Sequence, residues 1–390
     1  MNASVQRLLI HIIRLLLRTL YIFPVRRNKV LFMSYVGRQY SCSPKYLFQH
    51  LAQLDGSHLD LVWVYEGPQP ADEDFKVAKK IRPNSFRYIF EAMTCAVFVT
   101  NIAVTSYIPF RKKQVTINTW HGGGAYKKAG LDITNSKIAQ AKVEMIRRQT
   151  TRFLSSSKTF SAVMHTAYRI ENDQLLEFGL PRNDLLLSAE RREYMRQIVR
   201  SFYGIPTATR LVLYAPTFRE YSFDADNEVI AVSELLDCLR QKNDTDWAFS
   251  FRTHHHWLGE TPVTKTQSID VTAYPDMQEL LCAADILITD YSSCMWDFSL
   301  TGKPCFIYAP DADQYRQERD FYMPMSQWPF PVALNNGELI RNIMAFDPAD
   351  YARRVKQHHD DLGSCESGQA TQIVGELILS ACRGKGRDQA

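Results

Sequence analysis

Ala284-Asp285-Ile286-Leu287-Ile288-Thr289-Asp290-Tyr291-Ser292-Ser293, followed by Cys294-Met295-Trp296-Asp297-Phe298, decides the fold class. A short apolar run without polar alternation reads as a strand buried on both faces. The run stops at Asp290, two serines follow, and a helix begins. A buried strand that turns directly into a helix is the repeating half of a parallel α/β fold. The same alternation extends outward in both directions. Upstream, strands are expected at Lys29–Tyr35, Leu59–Tyr65, Ala96–Thr100, Val115–Trp120 and Phe160–Met164. Nearer the quoted stretch they are expected at Arg210–Ala215, Trp247–Arg252, Ser268–Val271, Ala284–Thr289 and Pro304–Tyr308, with helical segments between most of them.

The chain has 390 residues, 45% hydrophobic and 23% charged. That is enough apolar material for two cores, and it excludes a disordered or low-complexity protein. A break around Gly204-Ile205-Pro206 divides the sequence into two α/β units. The expected organisation is a helix at 1–27, Rossmann-like domains at 28–203 and 204–366, and a last helix with a polar tail at 367–390. Two such domains facing each other would bind ligands in the cleft, at the carboxyl ends of their strands.

The net charge of +4 conceals an asymmetry. The first 54 residues hold eight Lys/Arg and no acid. Within them, residues 5–23 are apolar apart from Gln6, Arg7, His11, Arg14, Arg18 and Thr19. On a helix, positions 7, 11, 14 and 18 fall within an arc of roughly 60°. Two arginines at mid-span would cost about 2.5–3.5 kcal/mol each at a bilayer centre. A helix lying on the membrane surface is therefore expected, with arginines toward headgroups and Leu/Ile toward acyl chains. A secretory signal is excluded by those charges and by the missing small-residue cleavage site. The eight scattered cysteines have no metal or disulfide spacing and read as reduced core thiols of a cytosolic protein.

Five further segments carry chemical residues. Asn118-Thr119-Trp120-His121-Gly122-Gly123-Gly124-Ala125-Tyr126-Lys127-Lys128 joins a strand end to a histidine, three glycines and two lysines. Glycines let backbone N–H groups approach phosphate oxygens, and a histidine at a strand lip can move a proton near neutral pH. Residues 111–164 carry eleven Lys/Arg against two acids, which favours an anionic substrate. Phe249-Ser250-Phe251-Arg252-Thr253-His254-His255-His256 ends a strand in an arginine and three histidines. Arg252 and His254 share a strand face and can hold one phosphate. Three successive histidines on a strand point alternately and do not form a metal site by themselves. In the opening stretch, Ser292 and Ser293 at a helix start form an anion site, or simply cap the helix. Tyr308-Ala309-Pro310-Asp311-Ala312-Asp313-Gln314-Tyr315 lacks the ligand series calcium needs and reads as a structural loop. Leu213-Tyr214-Ala215-Pro216-Thr217-Phe218-Arg219 and Gly179-Leu180-Pro181-Arg182-Asn183-Asp184 are exits with turn chemistry near the expected cleft.

In this order the segments resemble the CDP-glycerol glycerophosphotransferase family, which builds poly(glycerol phosphate) and related teichoic-acid or capsule polymers. The resemblance covers roughly residues 25–345 and is most specific over 289–315. It implies a GT-B-type fold of two Rossmann-like domains and peripheral association with the inner membrane face. It implies that His121 is the general base, and that Arg252 and His254 stand at the donor pyrophosphate, with His254 counted beside His121 as catalytic. His255 and His256 occupy places where the family carries proline or an aromatic residue, so His254 and His255 both remain candidates to face the donor. Ser292 and Ser293 match residues at the donor phosphates, with Asp290, Thr217 and Arg219 on the same side. Gly122, Gly123, Lys127, Lys128, Arg182 and Asn183 fall on the acceptor side.

The implied reaction moves a polyol phosphate from a CDP-polyol to a hydroxyl of a lipid-linked saccharide or growing polymer, releasing CMP. No cofactor beyond the donor is required and no metal-ligand set stands out; local cations are favoured at the phosphates, and Mg2+ dependence stays open. A sugar-nucleotide glycosyltransferase of the same fold is the alternative. It should carry a glutamate for the donor ribose, and none can be placed. A non-catalytic membrane-bound binder of anionic polymer would not explain four phosphate-type segments together. Nucleic acid is excluded as a partner by the lack of any corresponding motif.

Overall fold

The computed structural model describes residues 3–55, 58–217, 229–253 and 268–384. They form two parallel α/β units. One comprises Met1–His121, Ala129–Asp184 and Cys365–Ala390; the other comprises Gly122–Lys128 and Leu185–Ser364.

The first unit holds seven strands: β1 Arg26–Met33, β2 Asp60–Val64, β3 Lys79–Ile81, β4 Cys95–Thr100, β5 Val115–Asn118, β6 Arg152–Leu154 and β7 Leu175–Leu176. They pair in parallel in the order β3-β2-β1-β4-β5-β6-β7. The second unit holds β8 Arg210–Ala215, β9 Trp247–Phe251, β10 Ser268–Asp270, β11 Ile286–Thr289, β12 Cys305–Tyr308 and β13 Val332–Ala333. These pair in parallel in the order β10-β9-β8-β11-β12-β13. Each sheet reverses its winding once, between β1 and β4 in the first and between β8 and β11 in the second. Such reversals open a crevice at the carboxyl ends of the strands, where ligands of this architecture bind.

The central strands are apolar runs because helices cover both faces. Val30, Phe32, Trp63, Val97, Val99 and Ile117 lie in one core of the first unit, and Leu31, Met33, Val62 and Phe98 lie in the other. Lys29 is an exception on β1. It is fully buried, its ammonium pairs with Glu91 of the helix Phe86–Thr94, and it donates to Thr94 Oγ1 at 3.1 Å. Arg87 adds a second contact to Glu91 at 2.7 Å. Glu91→Leu removes the carboxylate paired with the Lys29 charge and should cost roughly 3–5 kcal/mol, read as a lowered urea midpoint.

Three features differ from the sequence reading. Phe160–Met164 is not a strand but the middle of the helix Lys158–Tyr168, capped where Ser157 accepts from the Phe160 N–H. Its buried residues Phe160, Val163, Met164 and Ala167 follow helical spacing, not the strand period of two. The strand there is the three-residue β6, just upstream. The units part at Asp184 instead of at 203, because the helix Ala189–Phe202 ties to the second unit: Arg196 and Arg200 reach Asp285 at 2.7 and 2.8 Å. The last helix, Ala370–Cys382, is not a separate element. Val374, Ile378 and Cys382 enter the first unit's core, and Gly375 packs so closely that a Cβ there would meet the His50 ring at 2.6 Å.

The N-terminal segment is α-helical over Ala3–Leu17 and continues as a 3-10 turn over Arg18–Ile22. Its orientation departs from the expected one. Arg14 donates to the Ser106 carbonyl at 2.8 Å, so it docks on the protein; burial, then the neighbouring Arg18, hold its guanidinium below the usual value. Tyr21 donates to the Pro109 carbonyl at 2.7 Å, and Arg111 reaches the Phe23 carbonyl at 2.6 Å. Leu8, Leu15, Leu16 and Ile22 remain 58–79% exposed. No described helix is long and apolar enough to cross a membrane. All eight cysteines are free and all but Cys365 are buried.

Candidate active site

In the first unit, residues following β1, β4 and β5 meet at the winding reversal. His121 lies just beyond β5, and its Nδ1 is 2.9 Å from the backbone oxygen of Asn101, which follows β4. A carbonyl can only accept, so Nδ1 carries the proton and Nε2 of the neutral ring is the basic nitrogen. The Trp120 ring stacks on the imidazole at 4.7 Å, and the Tyr35 ring meets it edge-on at 6.0 Å. Asn101 is fully buried and serves twice, because its Oδ1 also accepts from the Tyr35 N–H at 2.9 Å. The Tyr35-Val36-Gly37 turn that it anchors is left-handed throughout, with φ of 45°, 59° and 83°. A β-branched residue in that region stores strain, and such strain gathers at ligand sites. Trp120 is left-handed as well, and the Asn118 Oδ1 accepts from its N–H at 2.9 Å.

In the second unit, the corresponding residues follow β9, β8 and β11, three neighbouring strands about 4.8 Å apart. Arg252 follows β9 and is partly exposed, with its Nη1 3.4 Å from the Met277 sulfur. Thr217 lies just beyond β8. Ser292 and Ser293 are partly exposed and precede the helix Cys294–Ser299. The Ser293 side chain does not cap that helix, while Ser292 Oγ is 3.4 Å from the Cys294 N–H.

Several expected ligand contacts turn out to be braces. Asp290 is 1% exposed, and its carboxylate accepts from the Thr217 N–H at 2.8 Å and the Thr217 hydroxyl at 2.6 Å. A buried carboxylate engaged in this way braces the turn that follows β8 against the turn that follows β11. Asp311 supports the same turn, accepting from the Tyr291 hydroxyl at 2.8 Å while the Tyr291 ring stacks on Tyr315 at 3.9 Å. Asp311 is thus structural, while the residues after it, expected to form a loop, are the helix Ala312–Glu318.

Arg182 and Asn183, expected on the acceptor side, are likewise buried. Arg182 reaches the Cys42 sulfur at 3.4 Å, and the Asn183 amide donates to Glu366 at 2.8 Å. Asp184 accepts from the Ala370 and Thr371 N–H groups at the start of the last helix. The Gly-Leu-Pro-Arg-Asn-Asp turn therefore clasps the returning C-terminal segment.

Gly122, Gly123, Lys127 and Lys128 do not join the His121 unit, although they follow His121 in sequence. Residues 122–128 pack in the second unit, where Lys127 bridges Phe321 and Lys128 pairs with Asp320 at 2.5 Å. Tyr126 is 2.9 Å from the ring nitrogen of His358, and burial lowers that histidine to about 4. Arg219 and His254, with His255 and His256, lie outside the described residues. Asn101, Tyr35 and Glu366 escaped the sequence reading. The left-handed turn holding Tyr35 ends in a glycine, but nothing nearby in sequence marks Asn101 or Glu366.

The sequence pattern of the CDP-Glycerol:Poly(glycerophosphate) glycerophosphotransferase family matches residues 15–380. A teichoic acid glycerol-phosphate transferase of Staphylococcus aureus is 29% identical over 400 residues, covering 96% of this chain and 99% of that protein. A teichoic acid poly(glycerol phosphate) polymerase of Staphylococcus epidermidis is 27% identical over 369 residues, 91% of this chain and 51% of that protein, so the chain spans about half of that relative. Among solved structures, the wall teichoic acid polymerase TagF superposes with a TM-score of 0.80 at 24% identity, covering 96% of this chain and 94% of that one. That likeness shows a shared fold, the GT-B-like pairing of two Rossmann-type units.

Proposed function

The chain belongs to the CDP-glycerol:poly(glycerophosphate) glycerophosphotransferase family, and from that premise we propose that it transfers a glycerol-phosphate unit from CDP-glycerol to a hydroxyl of a lipid-linked or growing polymer. The observation that carries this reading is the His121 ring, whose Nδ1 is committed to the Asn101 carbonyl so that Nε2 is the base. The acceptor hydroxyl gives its proton to Nε2 as its oxygen attacks the β-phosphorus of CDP-glycerol. The bond from that phosphorus to the bridging oxygen breaks, and CMP leaves with the electron pair. Arg252 and the groups around Ser292 and Ser293 offset charge on the phosphoryl oxygens, where fixed donors act most strongly. Protein cations fill this role in the proposal, with no resident cofactor. Incubation of the purified chain with CDP-glycerol and a lipid-linked acceptor should release CMP. No release with any plausible acceptor would overturn the reading, and UDP release from UDP-sugars would favour the glycosyltransferase instead.

The reading includes attachment to the cytoplasmic face of the membrane. The helix Ala3–Leu17 turns Leu8, Leu9, Ile12, Ile13, Leu15 and Leu16 outward, each at least 40% exposed. Each such side chain gains up to about 1.5–3 kcal/mol when fully removed from water. A helix of this kind suits an interfacial position, and a lipid-linked acceptor would place the reaction there. Leu15→Glu combined with Leu16→Glu should move most of the protein from the membrane pellet to the soluble fraction. Unchanged fractionation would refute the attachment.

A further inference from the structure

A cavity of about 230 Å³ opens in the second unit at the amino ends of its strands. Arg210 begins β8, Trp247 begins β9, and Asp285 and Lys303 stand just before β11 and β12. Thr217, Arg252 and Ser292 follow the opposite, carboxyl ends of the same sheet. The four residues of β11 alone put ~13 Å between the two ends. The cavity is therefore distinct from the crevice that would take the nucleotide donor.

Its lining combines two properties. Trp247, Phe306 and Phe346 supply aromatic surface, and Arg210, Lys242 and Lys303 supply positive charge. The acid in the lining, Asp285, is already engaged. It accepts from Arg196 at 2.7 Å, from Arg200 at 2.8 Å and from the Leu211 N–H at 2.8 Å. Lys303 lies 4.0 Å from Asp285 and donates to the Ala284 carbonyl at 2.6 Å. Lys242 donates to the carbonyls of Ile343, Met344 and Phe346. Carbonyls satisfy an ammonium's hydrogen bonds but leave its charge uncompensated. Trp247 is 5% exposed and its indole N–H has no hydrogen-bond partner among the described residues, while the Arg210 guanidinium lies 5.6 Å over its ring. Buried polar groups left unpaired are uncommon in folded proteins.

We propose that this cavity is a second binding site, for a small aromatic anion: one or two fused rings against Trp247 and Phe346, with a phosphate or carboxylate toward Lys303 and Arg210. An aromatic ring has apolar faces for such walls and stacks with a guanidinium. An anionic group answers the surplus charge with charge-assisted hydrogen bonds. Burial brings the Lys303 amine down to about 8, with Asp285 opposing the shift and Arg196 and Arg192 adding to it. Pockets that join apolar walls to a few convergent polar groups and a perturbed amine are where small ligands bind. This inference does not depend on the transferase reading.

The test is calorimetric titration of the full chain with 1-naphthyl phosphate, alone and with saturating CMP. Binding is expected at micromolar to submillimolar concentration, with or without CMP. It should weaken at least tenfold in Lys303→Met and several-fold in Arg210→Gln. Arg210 is exposed, so its variant keeps the test valid if Lys303→Met folds poorly. No heat at millimolar probe, binding abolished by CMP, or unaltered binding in Arg210→Gln would each overturn the site.

Discussion

His121→Ala is expected to lower CMP release from CDP-glycerol by about 10²- to 10⁴-fold, the usual worth of a positioned general base. The fold should persist, because the ring is partly exposed and lies outside the apolar cores of its unit. A thermal melt within about 2 °C of the parent, together with lost turnover, is the outcome that fits. Turnover retained at the parent level would remove His121 from the mechanism. Asn101→Asp gives a sharper reading of the same site. The carboxylate keeps an acceptor for the Tyr35 N–H but places negative charge beside the imidazole. Opposite charges favour the protonated ring, so the base is consumed over a wider range. The acid-side limb of the kcat/KM profile should move to higher pH, with activity recovering as pH rises. If Asn101 only stiffens the loop, the melting temperature will fall and the limb will stay in place.

Asp290→Ala carries the second large effect. The carboxylate accepts both the Thr217 N–H and hydroxyl in a site that is 1% exposed. Removing it strands the Thr217 N–H and hydroxyl and the Tyr291 N–H, at about 1–3 kcal/mol for each buried group left unpaired. A loss of roughly 3 kcal/mol of stability is expected, with a raised KM for CDP-glycerol as the β8 and β11 turns separate. Arg252→Ala should behave differently. It removes a partly exposed cation, so kcat/KM for CDP-glycerol should fall at least tenfold while the urea midpoint stays within experimental scatter. Equal loss of stability in both variants would contradict the division into a brace and a ligand contact. Thr217→Val, which deletes only the hydroxyl, should fall between Asp290→Ala and the parent in stability.

Much of this was legible beforehand, for local reasons. The long central strands are continuous apolar runs, and β8 was read with both its ends correct because Ala215-Pro216 stops it. The short edge strands β3, β7 and β13 were missed, because two or three residues do not establish a period. Phe160–Met164 was misread because an apolar pentapeptide satisfies either period until its capping serine and the later Ala167 are counted. His121, Arg252, Ser292 and Ser293 stood out because each follows a strand end, where side chains are released from the core. Asp290 stands out for the same reason, but its bracing of Thr217 is not visible locally. Its partner, Thr217, lies 73 residues away, and no local pattern reveals a carboxylate's hydrogen bonds.

The charge asymmetry followed the same rule. Eight positive charges and no acid in the first 54 residues mark a basic head, and helical spacing marks an amphipathic helix, both without any structure. Which face turns inward was decided by Ser106, whose carbonyl takes Arg14. Burying one guanidinium against a carbonyl leaves the leucines outside.

The sequence by itself determined the α/β class, the parallel sheets and the family. Those properties reside in periodicity and in residues adjacent along the chain. Only the tertiary structure decided that residues 122–128 leave the His121 unit, that Asn101 orients the imidazole, and that Glu366 and Asp184 bind the C-terminal helix to the first unit. Each of these rests on hydrogen bonds or packing between residues 20 to 232 positions apart. Such contacts form when the strands align in register, so their chemistry is absent from any single stretch of sequence.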